Sequence, residues 1–90
     1  MIELHYLPKS TYPMTSILDA IDSAIPNMVS GKRYELSQIV ELGAPGLWDR
    51  FTNYKKKCIG YTVAGMVTNH EITGLRFYDP DKRPIKYIIV

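Results

Sequence analysis

Residues 34–67 read YELSQIVELGAPGLWDRFTNYKKKCIGYTVAGMV, and this stretch decides the fold of the 90-residue chain. Residues 33–36 form a short extended segment, and Ser37 is the predicted N-cap of a helix that Gly43 closes. Residues 44–46 then turn the chain. A further helix is predicted over about residues 54–69. Its buried stripe is spaced at i, i+4, i+7 and i+8 and consists of Ile59, Val63, Met66 and Val67.

The flanking segments complete the order of elements. Residues 2–7 alternate between apolar and polar positions, which is typical of a half-buried strand. An amphipathic helix follows, opened by Pro13 and stopped by Pro26. Residues 71–78 and 84–90 have the composition of strands, and the turn formers between them predict a β-hairpin with a charged tip. The predicted order is therefore strand, helix, short strand, helix, turn, helix, hairpin.

This order predicts an α+β domain that spans residues 1–90 as a single unit. It favours a winged helix-turn-helix with three helices, a C-terminal β-hairpin wing and an additional N-terminal strand. The helix that begins NYKKK would then take the position of the recognition helix. The alternative is a small α+β domain that uses the same topology only for stability.

Composition excludes several classes of protein. Hydrophobic residues make up 46% and charged residues 22%, and no apolar run approaches the roughly 18 residues of a membrane span. The N-terminus lacks the pattern of a secretory signal, so we expect a cytoplasmic protein without membrane association. The single cysteine, Cys58, cannot form an internal disulfide and is predicted to be a packing residue. His5 and His70 are each isolated, so we expect no enzymatic activity, no metal and no cofactor.

Charge is distributed unevenly along the chain. The net charge is only +2, but residues 1–45 carry −2 and residues 46–90 carry +4. In a winged helix the wing and the start of the recognition helix lie on one side, so the cations would form a positive surface there. Arg76 is a further candidate on the wing strand. Taken alone, the lysine run 55–57 is more typical of a solvated helix face.

The exposed face of the predicted recognition helix favours single strands. Readers of duplex DNA place arginine, asparagine or glutamine there, whereas this face carries Tyr61, Ala64 and Thr68. Basic residues interleaved with tyrosine rings suit a single strand, on whose bases the rings stack. Trp48 is predicted to pack in the core, with stacking on a base as the alternative, and Tyr61 could either stack on a base or pack under the wing. The predicted nucleic-acid-binding residues are Arg50, Tyr54, Lys55, Lys56, Lys57, Tyr61, Lys82, Arg83 and Lys86.

Two glycines of the same helix, Gly60 and Gly65, weaken it by about 1 kcal/mol each relative to alanine. We predict that they allow another backbone to approach closely. Arg33 and Tyr34, just before the second helix, could serve either in binding or in packing, and Tyr34 favours the core.

The stretch from Tyr34 to Leu75 resembles a family of small proteins of phages and mobile elements. It is most similar to the winged-helix single-stranded-DNA-binding proteins of staphylococcal cassette chromosome elements. The likeness covers about residues 33–78, and most of its positions are packing positions. Where these proteins often carry a basic residue after the glycine, this chain has Tyr61, which exchanges a phosphate contact for a stacking surface. The matching positions are Tyr34, Leu36, Ile39, Trp48, Lys55 to Lys57, Ile59, Gly60, Val63 and Val67.

The resemblance implies a non-enzymatic, sequence-tolerant single-stranded-DNA-binding protein that supports replication of a mobile genetic element. Single-stranded DNA would be the main partner, with a replication helicase or polymerase as a second candidate. Unpaired edges of the terminal strands also favour a homodimer. Two alternatives remain open: a transcriptional regulator that binds duplex DNA, and a protein–protein interaction module without nucleic-acid binding.

Overall fold

The computed structural model describes residues 13–79, 81 and 83–89. These residues form an α+β arrangement of three helices followed by an antiparallel pair of strands. The predicted N-terminal strand, residues 2–7, lies outside the described residues, as does Lys82. The elements are α1 (Met14–Ala24), α2 (Leu36–Gly43), α3 (Asn53–Thr68), β1 (Leu75–Phe77) and β2 (Tyr87–Ile89), with 3₁₀ turns at Ile25–Asn27 and Trp48–Arg50. This order is consistent with a winged-helix layout.

The sheet confirms the predicted C-terminal hairpin and the extended segment before α2. β1 and β2 are antiparallel, with Phe77 opposite Tyr87. Tyr34 pairs with the other edge of β2: its N–H donates to the Tyr87 carbonyl at 2.9 Å, and the Tyr87 N–H donates back at 2.7 Å. Each strand is only three residues long, shorter than predicted, since the chain turns through Gly74 (φ +89°) before β1 begins. β2 therefore lies between β1 and Tyr34.

Pairing at Tyr34 also moves the start of α2. Its N-cap is Glu35, two residues before the predicted Ser37, and the Glu35 N–H donates to Oε1 of Gln38 at 2.7 Å. Because Tyr34 is held on β2, the chain leaves the sheet at Glu35 and enters the helix at once. The start of α3 agrees with its prediction: the Thr52 hydroxyl oxygen accepts a hydrogen bond from the Lys55 N–H at 3.2 Å.

The core lies where the three helices meet the sheet, with Ile17, Ile39, Ile59 and Val63 fully buried at its centre. α1 and α2 cross so closely that a side chain at Gly43 would overlap the backbone carbonyl of Ala20. Gly43 was predicted to be a helix cap, but it is the last residue of α2 and allows this approach. Among the described residues, no helix has the length and apolar character needed to cross a membrane.

The end of α3 offers a test of backbone strain. The Glu71 N–H donates to the Met66 carbonyl at 2.8 Å, and the His70 N–H donates to the Val67 carbonyl at 3.1 Å, which is a Schellman motif. His70 occupies its left-handed position with φ 59°. We expect His70→Gly to raise the free energy of unfolding by about 1 kcal/mol, measured by urea denaturation. Asn69→Gly is the control.

Asn69 precedes His70 and has φ −90°. Glycine at position 69 therefore relieves no strain and only adds conformational freedom to the unfolded chain. We expect Asn69→Gly to lower stability by about 0.5 kcal/mol. Equal effects of the two substitutions would show that the His70 conformation is not strained.

Candidate nucleic-acid interface

The lysine run at the start of α3 spreads around the helix. Successive residues differ by about 100° in direction, so the three lysines face different surroundings. Lys57 is exposed, whereas Lys55 and Lys56 are half-buried. The Lys56 ammonium lies 5.9 Å from the centre of the Trp48 ring, and Trp48 itself packs against the core. Of the three lysines, Lys57 is the one that turns toward the hairpin.

A groove lies between α3 and the segment that leads into β2. We call it the α3 groove; it has a volume of about 300 Å³. Leu36 and Tyr87 are buried residues of its lining, and Ile85 packs partly against the core. Because Gly60 has no side chain and Ala64 has only a methyl group, little projects from α3 into the groove. The full lining is Leu36, Lys57, Gly60, Tyr61, Ala64, Arg83, Ile85 and Tyr87.

Three of the predicted binding residues meet at this groove. Lys57 and Tyr61 are four residues apart on α3 and therefore share one helix face. Arg83, which lies in the hairpin before β2, lines the same groove. Tyr61 is 44% exposed, so part of its side chain lies at the groove surface. The groove thus combines an apolar lining, one exposed aromatic side chain beside the buried Tyr87, and two cations.

Gly60 corrects a prediction about backbone packing. No atom lies within 4 Å of the position that a Cβ would occupy at Gly60. The glycine does not admit another backbone; it leaves space on the groove side of α3. The close approach occurs at Gly43 instead. The periodic pattern of apolar residues predicts which helix face is buried but not where two backbones cross.

The remaining α3 candidates lie away from the groove. Arg50 is exposed in the 3₁₀ turn before α3, and Lys55 and Lys56 belong to the opposite or lateral faces of the helix. Tyr54 is 59% exposed at the first turn of α3. Interaction with Cys58, through a hydrogen bond and through charge, raises the pKa of the Tyr54 phenol. A phenol is uncharged at neutral pH even with its ordinary pKa, so the shift does not change the charge of Tyr54 there.

On the hairpin side, Lys86 is held by an acidic residue. Its ammonium lies 3.7 Å from Oε2 of Glu35, the residue that caps α2. It lines a second cavity together with Arg83 and not the α3 groove. Arg76 was a further candidate, but it lines a separate cavity with His70 and Phe77. Lys82 lies outside the described residues.

Tyr87 lines the groove, although the sequence did not suggest it as a binding residue. It is buried, its ring stacks on Phe77 at 5.4 Å between centres, and its backbone carries the Tyr34 bridge. Burial raises the pKa of Tyr87 to about 12. A tyrosine phenol is neutral at physiological pH even with its ordinary pKa, and burial moves its titration further from that range, so it adds no negative charge to the groove lining.

Arg33 is the other residue whose role the sequence left open. Its guanidinium carbon lies 4.7 Å from the centre of the Tyr78 ring. Tyr34, in contrast, is buried as predicted. Neither the length of the hairpin strands nor the bridge at Tyr34 could be deduced from residue order, and both are needed to bring Arg33 beside Tyr78.

Cys58 is buried, which confirms its prediction as a packing residue. Within the described part of the chain, no group of three or more histidine, cysteine, aspartate or glutamate residues could hold a metal ion. Comparison of the chain with protein-family models, with curated proteins and with solved structures found no match.

Proposed function

We propose that this protein is a sequence-tolerant single-stranded-DNA-binding protein with a winged-helix fold, and that the strand lies along the α3 groove. One observation carries the proposal: Tyr61 lines an apolar groove together with Lys57 and Arg83. Bases need a flat ring and apolar surface, and phosphates need cations. The proposed activity is binding, without a catalytic step.

The shape of the groove favours a single strand over a duplex. A recognition helix reads base edges by projecting long polar side chains into the major groove. α3 has a hollow at this position, because Gly60 and Ala64 project little or nothing from it. An unstacked base can enter such a hollow and lie against Tyr61, whereas the paired bases of a duplex cannot. Stacking contributes about 1 to 3 kcal/mol per base and tolerates any sequence.

The wider role rests on the resemblance rather than on the groove. It includes a cytoplasmic location, support for replication of a mobile genetic element, and a helicase or polymerase as a second partner. Self-association through strand edges belongs to the same proposal. The predicted N-terminal strand lies outside the described residues, and β2 pairs with β1 on one side and with Tyr34 on the other. Among the described residues, β1 forms one edge of the sheet, and an unpaired edge of this kind can accept a further strand.

The binding itself is tested by fluorescence anisotropy with a labelled oligo-dT. We expect affinity to fall as salt rises from about 50 to 200 mM, with a slope of log affinity against log salt of about −0.7 for each phosphate contacted. Unlabelled oligo-dT should displace the probe, and unlabelled duplex of the same length should displace it poorly. Efficient displacement by duplex would favour the transcriptional regulator instead.

Variants of Tyr61 separate stacking from general attraction by charge. Tyr61→Phe retains the ring, so we expect affinity close to wild type. Tyr61→Ala removes the ring, and we expect it to weaken binding by about tenfold, in line with the loss of one stacked base. Its salt slope should be unchanged because no cation is lost. A Tyr61→Ala variant that binds like wild type would remove stacking from the proposal.

A further inference from the structure

A second cationic surface lies on the far side of Arg83 from the α3 groove. It surrounds a cavity of about 330 Å³ lined by Arg33, Tyr78, Asp79, Arg83, Pro84 and Lys86. We call it the Arg33–Tyr78 surface. Its lining holds three cations and one carboxylate, a net charge of +2. Arg83 lines both this cavity and the α3 groove, so the two binding surfaces are continuous.

Backbone hydrogen bonds hold this surface in place. The Tyr78 N–H donates to the Lys86 carbonyl at 2.9 Å, which joins the two sides of the hairpin. The Tyr34 bridge to Tyr87 places Arg33 beside the same hairpin. Two parts of the chain that are distant in sequence, the segment before α2 and the hairpin, therefore present their side chains together.

The pair formed by Arg33 and Tyr78 has the chemistry of a nucleotide site. The guanidinium lies 4.7 Å from the ring centre, within the range of a cation–π contact. Tyr78 remains 51% exposed, so part of its ring is accessible to a base. Arg33 is exposed and forms no ion pair with the residues that the structure describes. An exposed guanidinium can bind a phosphate, whereas the charge of Lys86 is shared with Glu35.

We infer that a single strand leaving the α3 groove crosses Arg83 and continues onto the Arg33–Tyr78 surface, where Tyr78 stacks on a base and Arg33 binds a phosphate. The inference rests on the proposed function. It extends the binding surface from α3 around the hairpin to the segment before α2. A strand long enough to cover both surfaces therefore gains contacts that a short one lacks.

Oligonucleotide length distinguishes the two surfaces. Wild-type protein should bind an oligo-dT of about 12 nucleotides at least tenfold more tightly than one of about four. We expect Arg33→Ala to weaken binding of the long oligonucleotide about fivefold or more and to reduce its salt slope by about 0.7, the contribution of one phosphate. Tyr78→Ala should weaken the same binding without changing the slope. Neither variant should change binding of the short oligonucleotide by more than about twofold.

Two control variants remove the same chemistry elsewhere. Lys32 is the neighbour of Arg33, but its ammonium lies 5.1 Å from the centre of the Tyr34 ring, and it lines a different cavity. Lys32→Ala should leave binding of the long oligonucleotide within about twofold of wild type. Tyr78→Phe, which retains the ring, should also bind like wild type. Thermal denaturation of all four variants checks that each of them is folded.

The outcomes separate the inference from the proposed function. If wild-type protein binds oligo-dT but Arg33→Ala and Lys32→Ala weaken binding equally, the inference is overturned and the α3 groove stands. The inference is overturned in the same way if the Arg33→Ala and Tyr78→Ala variants bind the long oligonucleotide as tightly as wild type. If wild-type protein binds no oligo-dT at low salt, the proposed function fails and the inference fails with it.

Discussion

Replacing Gly43 with alanine should lower the free energy of unfolding by about 3 kcal/mol or more. A methyl group at this position would overlap the carbonyl group of Ala20, where α1 and α2 cross. The obstacle is backbone, so no rotation of a neighbouring side chain relieves it, and the two helices must separate. We expect the midpoint of thermal unfolding to fall by more than about 10 °C, measured by circular dichroism together with urea denaturation.

Gly60→Ala is the matched control, since it makes the same change in another helix. The space around Gly60 is open, so alanine there should raise the free energy of unfolding by about 0.5 to 1 kcal/mol through its better helix propensity. The new methyl group enters the α3 groove, so oligo-dT affinity should fall even as stability rises. Stability losses of similar size at Gly43 and Gly60 would contradict the specific contact between α1 and α2.

Reversing the two cations of the α3 groove should abolish most binding. In the double variant Lys57→Glu with Arg83→Glu, two attractions to phosphate become repulsions, and we expect affinity for oligo-dT to fall by about 100-fold at low salt. The salt slope should lose about 1.4, the contribution of two phosphates to single-strand binding. Anisotropy titrations at several salt concentrations measure both quantities.

A control with the same net charge separates local contacts from the overall field. Lys32 and Arg76 each line a cavity distinct from the groove and from the Arg33–Tyr78 surface. Lys32→Glu with Arg76→Glu changes the charge of the protein by the same amount. We expect that variant to lose less than about tenfold in affinity, because neither side chain lines the groove or the Arg33–Tyr78 surface, and salt screens charges that make no direct contact with the strand. Equal losses would mean that the protein binds DNA only through its total charge.

The helices and the hairpin could largely be predicted from local pattern. The apolar spacing of α1 and α3 and the turn formers between β1 and β2 act over a few residues, so they can be recognised without a partner. The N-cap of α2 could not be predicted, because it depends on the pairing of Tyr34 with Tyr87, residues more than fifty positions apart. The predicted N-terminal strand lies outside the described residues and stays a prediction.

The candidate site was harder to predict than the fold. Lys57, Tyr61 and Arg83 were all identified as binding residues, because charge and aromatic content can be read directly from the chain. The lysine run also suggested Lys55 and Lys56, yet Lys56 lies beside the Trp48 ring. The direction of a side chain depends on which face of the helix packs against the core. In α3 the sequence indicates that face only weakly, since lysines, glycines and a tyrosine interrupt the apolar pattern.

An α+β chain with a basic C-terminal half can be predicted from residue type and from the 3.6-residue period of the helix, as can the presence of lysine and tyrosine on α3. The tertiary structure adds that Lys57 and Tyr61 line one groove with Arg83. It also shows that Gly43 lies against Ala20, that Gly60 opens the groove, and that Arg33 joins Tyr78. Each of these depends on the crossing of two backbones or on a pairing between distant residues, and a single residue's chemistry does not encode either one.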